Sequence, residues 1–347
     1  MNVATALSQV NVSSFLPAEL ARRLPLVNPR GPVRTAVGAN GIVLSAISDR
    51  DFLEVVLDNL APLDGKKVFE IGSGTGYLAY VMSQLVGPLG HVTGCEIIET
   101  LYAHSVRNPL IVSQPNITLV AGDFIDILPQ PSDVIISTSS MDRFHRSILL
   151  SLKDGGYLAV PIAIPGGGDC FSLFRYWDGW IRCYHAILSV SVPTRGSYSP
   201  DAFWAPHLDK IFPGVLERDI LTVRHRPKAK HHIHESLCFR SYLHFTERRF
   251  FSVNLGKVPY LAPSTMGFGL RSSGPDNSFA ISAFDRDLVH GADGLALLSD
   301  LHNMRSEWER SGSPSLSNFR YDLPVPTSAD LVFSAGFGSM AVRTSSQ

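Results

Sequence analysis

No stretch of this 347-residue chain approaches the roughly 18 consecutive apolar residues of a membrane-spanning helix, so no helical span and no membrane partner are expected. Met1 to Leu16 carry neither a basic start nor a long apolar run, which argues against a secretory leader and for a cytoplasmic location. Cysteine is scarce. Cys95, Cys170, Cys183 and Cys238 lie far apart with no Cys-x-x-Cys pair, so a disulfide frame is not expected and the thiols read as idle ones in a reducing compartment. A surplus of either charge is missing too: the formal net charge is −1, which supplies no global field for nucleic acid. What remains, 45% hydrophobic and 18% charged residues over this length, suits a globular chain of two domains.

The most informative stretch is Val68-Phe69-Glu70-Ile71-Gly72-Ser73-Gly74-Thr75-Gly76-Tyr77. A short apolar run enters three alternating glycines, after which Leu78, Val81, Met82, Leu85 and Val86 recur at helical spacing. Strand, tight turn and amphipathic helix follow from that pattern. Glycines let the backbone turn sharply and lie against a ligand, while the first N–H groups of the helix point into the crevice. A nucleotide-like ligand is the expectation, and an open α/β sheet with an empty turn is the plain alternative. The next strand, His91 to Glu96, ends in an acid suited to ribose hydroxyls. Glu70 before the glycines and Glu96 after the second strand fit adenosylmethionine-dependent methyltransferases better than dinucleotide enzymes.

Regular α/β alternation continues from Lys67. Strands are expected at 117–120, 133–137 and 157–164, a helix at 143–152, and a hairpin at 171–177 and 180–190 turning at Asp178-Gly179. Ahead of this unit, residues 1–35 form a lead-in with a short helix, and 38–48 make a turn-rich approach to a helix capped by Ser48 or Asp49. The boundaries are then 1–35 lead-in, 36–196 doubly wound α/β domain, 197–235 basic linker and 236–347 a smaller α+β extension.

Several motifs together resemble the protein-L-isoaspartate (D-aspartate) O-methyltransferase family. They are Ile47-Ser48, Glu70 to Tyr77, Gly122-Asp123, Asp133 to Thr138, Leu152-x-x-Gly155-Gly156-x-Leu158-x-Val160-Pro161, and Val192-Pro193-x-x-Gly196. The resemblance covers about residues 36–196. It implies a Rossmann-like class I methyltransferase sheet, mostly parallel, with an antiparallel hairpin at one edge. It also implies S-adenosyl-L-methionine as cofactor, with Glu70 ahead of the glycines, Gly72, Ser73, Gly74 and Gly76 along its amino-acid end, Glu96 at the ribose and Asp123 near the adenine. A serine ahead of the first core helix is implied at the methyl acceptor. Ser48 fits without a gap; Ser45 fits the family's Leu/Ile-Ser-Ala form if three residues are inserted. Around Ser48 the chain departs from the family, with Asp49-Arg50-Asp51 following it, and Ser191 stands where a Phe often precedes Val-Pro.

Beyond Gly196 the chain runs through a turn-rich joint, 198–206, into its one strong basic run, Arg224 to His234. Three of the four residues 231–234 are histidines, yet no carboxylate or cysteine spacing completes a metal site, so no metal is expected and a solvated linker is the reading, with a grip on an acidic peptide as the functional alternative. Strands are expected at 239–245, 250–255, 279–284 and 319–323, and a helix through Leu297, Leu301, Met304 and Trp308. This order resembles the extension of isoaspartyl methyltransferase relatives found with ribosomally made, modified peptides.

The chemistry these residues suit is carboxyl O-methylation. An ionised carboxylate needs no general base, since a free carboxyl group titrates near pH ~4. No Asn-Pro-Pro-Tyr-like amine-methylating motif follows the fourth strand; Ser137, Thr138 and Ser139 stand there, hydroxyls suited to a carboxylate or peptide backbone, and with Val160 and Pro161 they are the expected substrate contacts. The expected substrate is a peptide or protein carrying aspartate or isoaspartate, either in a dedicated modified peptide that closes to an aspartimide or in general isoaspartyl repair. A non-catalytic adaptor on the same fold is the reading from another class. Oligomeric state has no signature in the sequence.

Overall fold

Alternation of strand and helix builds the centre of the molecule, and a second sheet is added behind it. The computed structural model describes residues 1–22, 31–39, 41–127, 131–164, 168–196, 206–225, 233–255, 266–274, 276–283, 286–314, 322–326 and 330–332. The expected joint at 198–205, most of the basic run (226–232) and residues 319–321 lie outside them.

The chain opens with α1 (Val3–Gln9) and a 3-10 turn (Val12–Phe15), followed by the antiparallel pair β1 (Val33–Val37) and β2 (Val43–Ile47). Then come α2 (Arg50–Leu60), β3 (Lys67–Ile71), α3 (Tyr77–Val86), β4 (His91–Glu96), α4 (Glu99–Ser105), β5 (Ile117–Ala121) and β6 (Ser132–Ser137). A long strand β7 (Leu152–Ala163) leads into β8 (Asp169–Trp177) and β9 (Trp180–Ser189). The second unit holds β10 (Leu221–His225), α5 (Ile233–Thr246), β11 (Phe250–Asn254), β12 (Met266–Arg271), β13 (Phe279–Ala283), β14 (Arg286–His290) and α6 (Gly294–Arg310), and β15 (Asp322–Pro324) follows.

The central sheet runs β15-β9-β8-β7-β6-β3-β4-β5, parallel from β7 through β5 and antiparallel from β7 outward to β15. Its parallel strands are apolar on both faces because both are covered. Val68 joins one core with Leu53, Val56 and Val81, while its neighbour Phe69 joins the other with Ile135, Leu158 and Phe174. The expected hairpin turn is present, with Asp178 and Gly179 both at positive φ (49° and 74°), the pattern of a tight two-residue loop. The hairpin's outer strand is not the sheet edge: β15 returns and pairs Pro324 with Trp180 and Leu323 with Ile181.

Three segments differ from the sequence reading. Residues 33–47 form a hairpin where only a turn-rich approach was expected, and the helix expected at 143–152 spans only Arg146–Leu150. Residues 239–245 lie in a helix, α5, not a strand. Residues 238–241 and 243–245 are all buried, so no single helical stripe stands out, because α5 is covered on several sides: Phe239 and Leu243 enter the core of the second sheet, and Phe245 enters the core of the central one. The basic stretch also does more than connect, since β10 at its start pairs with β14 in the antiparallel sheet β10-β14-β13-β12-β11. Helix α6 packs on that sheet through Leu297, Leu298, Leu301 and Trp308.

The lead-in is anchored tightly. Phe15 is fully buried, sets its ring edge-on to Tyr77 (centroids 5.5 Å apart) and lies against Tyr80. Asn108 donates to the carbonyl of Ser14 at 2.9 Å. Phe15→Ala is therefore expected to cost about 3–5 kcal/mol, as large aromatic truncations in cores do, and to loosen the first turn of α3; urea unfolding of the two proteins measures the loss.

Candidate active site

At the carboxyl ends of β3 and β4 the backbone folds into a cradle. Gly72, Gly74 and Gly76 have φ of 77°, 56° and 84°, a region where a side chain is strained. The loop is fixed to its neighbour strand, since the N–H groups of Gly72 and Ser73 both donate to the carbonyl of Cys95 at 2.9 Å. Glu96 completes the tie: its carboxylate accepts from Gly74 N at 2.6 Å and from Ile98 N at 2.7 Å.

Two adjoining clefts open over this cradle. The first holds about 550 Å3 of space, part of it open solvent, between Gly72, Glu96, Ile97, Asp123, Phe124 and the segment 192–195. The second, about 350 Å3, lies against Glu70, Ser73, Gly74, Thr75, Tyr77 and Ser48. Ser45, Ala46, Gly72 and Thr138 line both and mark the junction.

The hairpin β1–β2 supplies the roof. Ser45 accepts from the Thr35 hydroxyl at 2.9 Å, which leaves its own proton to donate elsewhere, and its Oγ lies 3.3 Å from where a Cβ on Gly74 would stand. Ser48 lines only the second cleft, and the helix cap behind it is Asp49, whose carboxylate accepts from Phe52 N at 3.0 Å.

The far wall is the segment 192–196. Val192 and Pro193 pair in parallel with Ser139 and Ser140, and Thr194 donates from both N and Oγ1 to the Ser140 carbonyl, at 2.9 and 2.7 Å. Asp169, almost fully buried, pins both sides by accepting from Ser140 Oγ and from Ser191 N, each at 2.6 Å. Gly196, at φ 85°, presses on Asp123 so closely that a Cβ there would collide with the carboxylate.

Of the expected site residues, Glu70, Gly72, Ser73, Gly74, Glu96, Asp123, Ser45, Ser48, Thr138 and Ser139 thus line one or both clefts. Gly76 does not; it caps α3 and packs against Ile111 and Ser105. Ser137, fully buried, commits its hydroxyl to the carbonyl of Ser139 and to Ser139 N, each at 3.1 Å. Val160 and Pro161 sit inside the central sheet, opposite Ser172 and Phe171. Thr35, Tyr77, Thr194 and Arg195 also line the clefts, although no role was expected of them; Thr194 and Arg195 fill the two unspecified positions of Val192-Pro193-x-x-Gly196.

Burial sets the electrostatics. Glu70 is 2% exposed and its pKa is pushed up to about 8, first by burial and then by the neighbouring Glu96 carboxylate. Glu96 is raised by burial as well, against which the Ile98 and Gly74 N–H groups favour its charge. Burial pushes the Cys95 thiol up to about 12, so it holds no thiolate at neutral pH. Four buried polar atoms of residues that line the second cleft, Glu70 Oε2, Ser73 Oγ, Thr75 Oγ1 and Tyr77 OH, have no hydrogen-bond partner among the described residues.

Comparison with known proteins gives a consistent picture. The family model described as protein-L-isoaspartate (D-aspartate) O-methyltransferase matches residues 1–179. A protein-L-isoaspartate O-methyltransferase of Ignicoccus hospitalis is 30% identical over 182 residues, 52% of this chain and 82% of that one. One of Methanothrix thermoacetophila is 30% identical over 205 residues, 58% of this chain and 92% of that one. A solved structure bearing the same name superposes with a TM-score of 0.53 at 19% identity, a likeness of fold that covers 95% of this chain and 93% of that one and so takes in the C-terminal extension.

The Glu70 proton has a measurable consequence. Between its ordinary value of 4.5 and about 8, the folded protein keeps a proton that the unfolded chain has lost, so stability falls as pH rises through that window. Glu70→Gln, which cannot ionise, is expected to flatten this fall in the ligand-free protein. Denaturant midpoints at pH 5 and pH 8 measure it; an equal drop in both proteins contradicts the assignment.

Proposed function

Because this chain belongs to the protein-L-isoaspartate (D-aspartate) O-methyltransferase family, we propose that it methylates an aspartyl or isoaspartyl carboxylate in a peptide or protein, with S-adenosylmethionine as donor. The observation that carries the reading is the set of four unpartnered buried polar atoms of Glu70, Ser73, Thr75 and Tyr77 beside a glycine cradle. Leaving such groups buried and unsatisfied costs about 1–3 kcal/mol each, and the ammonium and carboxylate of an amino-acid moiety supply the missing partners.

The residues fit that cofactor in three parts. Glu70 and the hydroxyls of Ser73, Thr75 and Tyr77 would hold its amino-acid end, with Gly72 and Gly74 giving close backbone approach. Glu96 keeps lone-pair capacity beyond its bonds from the Ile98, Gly74 and Ile97 N–H groups and would accept from the ribose hydroxyls. Asp123, Ile97 and Phe124 would border the base. When bound, the cofactor supplies an electrophilic methyl group. The chain's own work is to place the acceptor carboxylate in line, an orientation worth up to about 7–11 kcal/mol of barrier.

Ser45 is the better placed of the two serines for that task. It lines both clefts where Ser48 lines one, and its hydroxyl proton is free to donate to a carboxylate oxygen. Thr138 and Ser139 border the same opening. No proton has to be removed from the acceptor, which is ionised at neutral pH.

The finer question is which peptide. Once esterified, the carbonyl carbon is attacked by the next backbone nitrogen, methanol leaves and a five-membered imide closes. That sequence serves repair of isoaspartate and the making of an aspartimide alike. The second sheet supports a dedicated peptide as substrate, whereas the fold likeness that reaches across the extension supports general repair.

Incubation with labelled S-adenosylmethionine and matched aspartyl and isoaspartyl peptides, read by mass spectrometry, tests the reading. Gain of one methyl or loss of water is expected; binding of the cofactor without transfer to any carboxylate refutes it. Turnover of unrelated isoaspartyl peptides favours repair. Ser45→Ala is expected to lower kcat by about 10–100-fold, the worth of one hydrogen bond to a charged group, and Ser48→Ala by less.

A further inference from the structure

The segment that walls the first cleft carries one cation into it. Among the described residues lining the two clefts, Arg195 is the sole basic side chain, and the other ionisable groups there are the acids Glu70, Glu96 and Asp123 together with Cys95 and Tyr77. The Nε of Arg195 is buried with no hydrogen-bond partner, and no carboxylate of the described residues pairs with its guanidinium. Arg195 is half-buried, and an anionic ligand in the cleft would give its buried Nε the acceptor it lacks.

Its backbone is held on both sides. Upstream, Ser191 is tied to Asp169 and Thr194 to Ser140; downstream, Gly196 is wedged against Asp123 and Ile97. The side chain is therefore presented from a fixed point of the backbone, in a cleft that Thr194 and Ser139, whose hydroxyls are bonded at 3.2 Å, also line. Fixing a charged fork in advance lowers the ordering cost of binding a carboxylate.

Electrostatics gives this a purpose. An anionic acceptor entering a cleft whose lining includes the carboxyl groups of Glu96 and Asp123 finds one cationic side chain there, that of Arg195. We propose that Arg195 binds the carboxylate of the acceptor residue and makes the cleft select an anionic side chain over its neutral ester. The inference rests on the methyltransfer reading above and adds the residue that recognises the acceptor. It also gives a route for product release, since the neutral ester no longer pairs with the guanidinium.

The experiment is a binding comparison. Two short peptides with a single central aspartyl or isoaspartyl residue, and their methyl esters at that carboxyl group, are titrated calorimetrically into the full chain saturated with S-adenosylhomocysteine. Wild type, Arg195→Gln and Arg195→Lys are compared, with S-adenosylhomocysteine affinity and thermal unfolding recorded for each. Wild type is expected to bind an acid peptide at least about tenfold more tightly than its ester, and Arg195→Gln to lose about tenfold or more for the acid. Ester and S-adenosylhomocysteine affinities should stay within about twofold, and Arg195→Lys should keep part of the preference. An acid-to-ester ratio unchanged in Arg195→Gln overturns the proposal. So does a parallel loss of S-adenosylhomocysteine binding, which would put Arg195 on the cofactor, and so does a wild type that binds neither acid peptide. Acid selectivity that depends on Arg195 without any methyl transfer would leave this inference standing and remove the activity instead.

Discussion

The constraint on which the rest depends is the buried carboxylate of Glu96. One oxygen holds Gly74 of the cradle and the other holds Ile98 at the start of α4, so a single side chain fixes the turn after β3 to the turn after β4. Burial raises the pKa of this acid, and the N–H groups that bond it oppose that rise by favouring its charged form. With that tie in place the three glycines are held in conformations that leave the cleft floor open to a ligand. The price is a second acid nearby, Glu70, which burial keeps protonated at neutral pH.

Everything above this floor is borrowed from distant parts of the chain. The hairpin β1–β2 brings Ser45 and Thr35 from before the first core helix, and the segment 192–196 arrives after the whole sheet has been built. Asp169 links that last segment to Ser140 on the strand end opposite. The floor is thus local in sequence and rigid, and the walls are non-local and joined by a few polar contacts. A site of this build can vary its acceptor by changing the walls and leave its donor side intact.

That division also decides what could be read from the sequence. The parallel strands announce themselves as apolar runs because both faces are buried, and the cradle does so because Gly72, Gly74 and Gly76 at positive φ admit little else. The roof hairpin carries no such signal. Val43 to Ile47 is half-buried over most of its length, so its alternation is weak and it resembles an approach loop. Helix α5 hides for the opposite reason, being so thoroughly enclosed that buried residues run almost without a break and no helical stripe stands out. Arg195 lies in an unspecified position of a recognised motif. Its unpaired Nε and the acids that line the same cleft are features that only the folded chain brings together.

The return of β15 to the central sheet has a consequence for the margin of that sheet. Strand β9 has Trp180 exposed at its start and is paired along that end by residues 322–324. An uncovered strand carries a row of free N–H and C=O groups that can template pairing with another chain. The late segment therefore works as a seal as well as a fastening. Without residues 322–324 the first three residues of β9 would present that row of groups to any strand that met them, while the glycine cradle would keep its own ties.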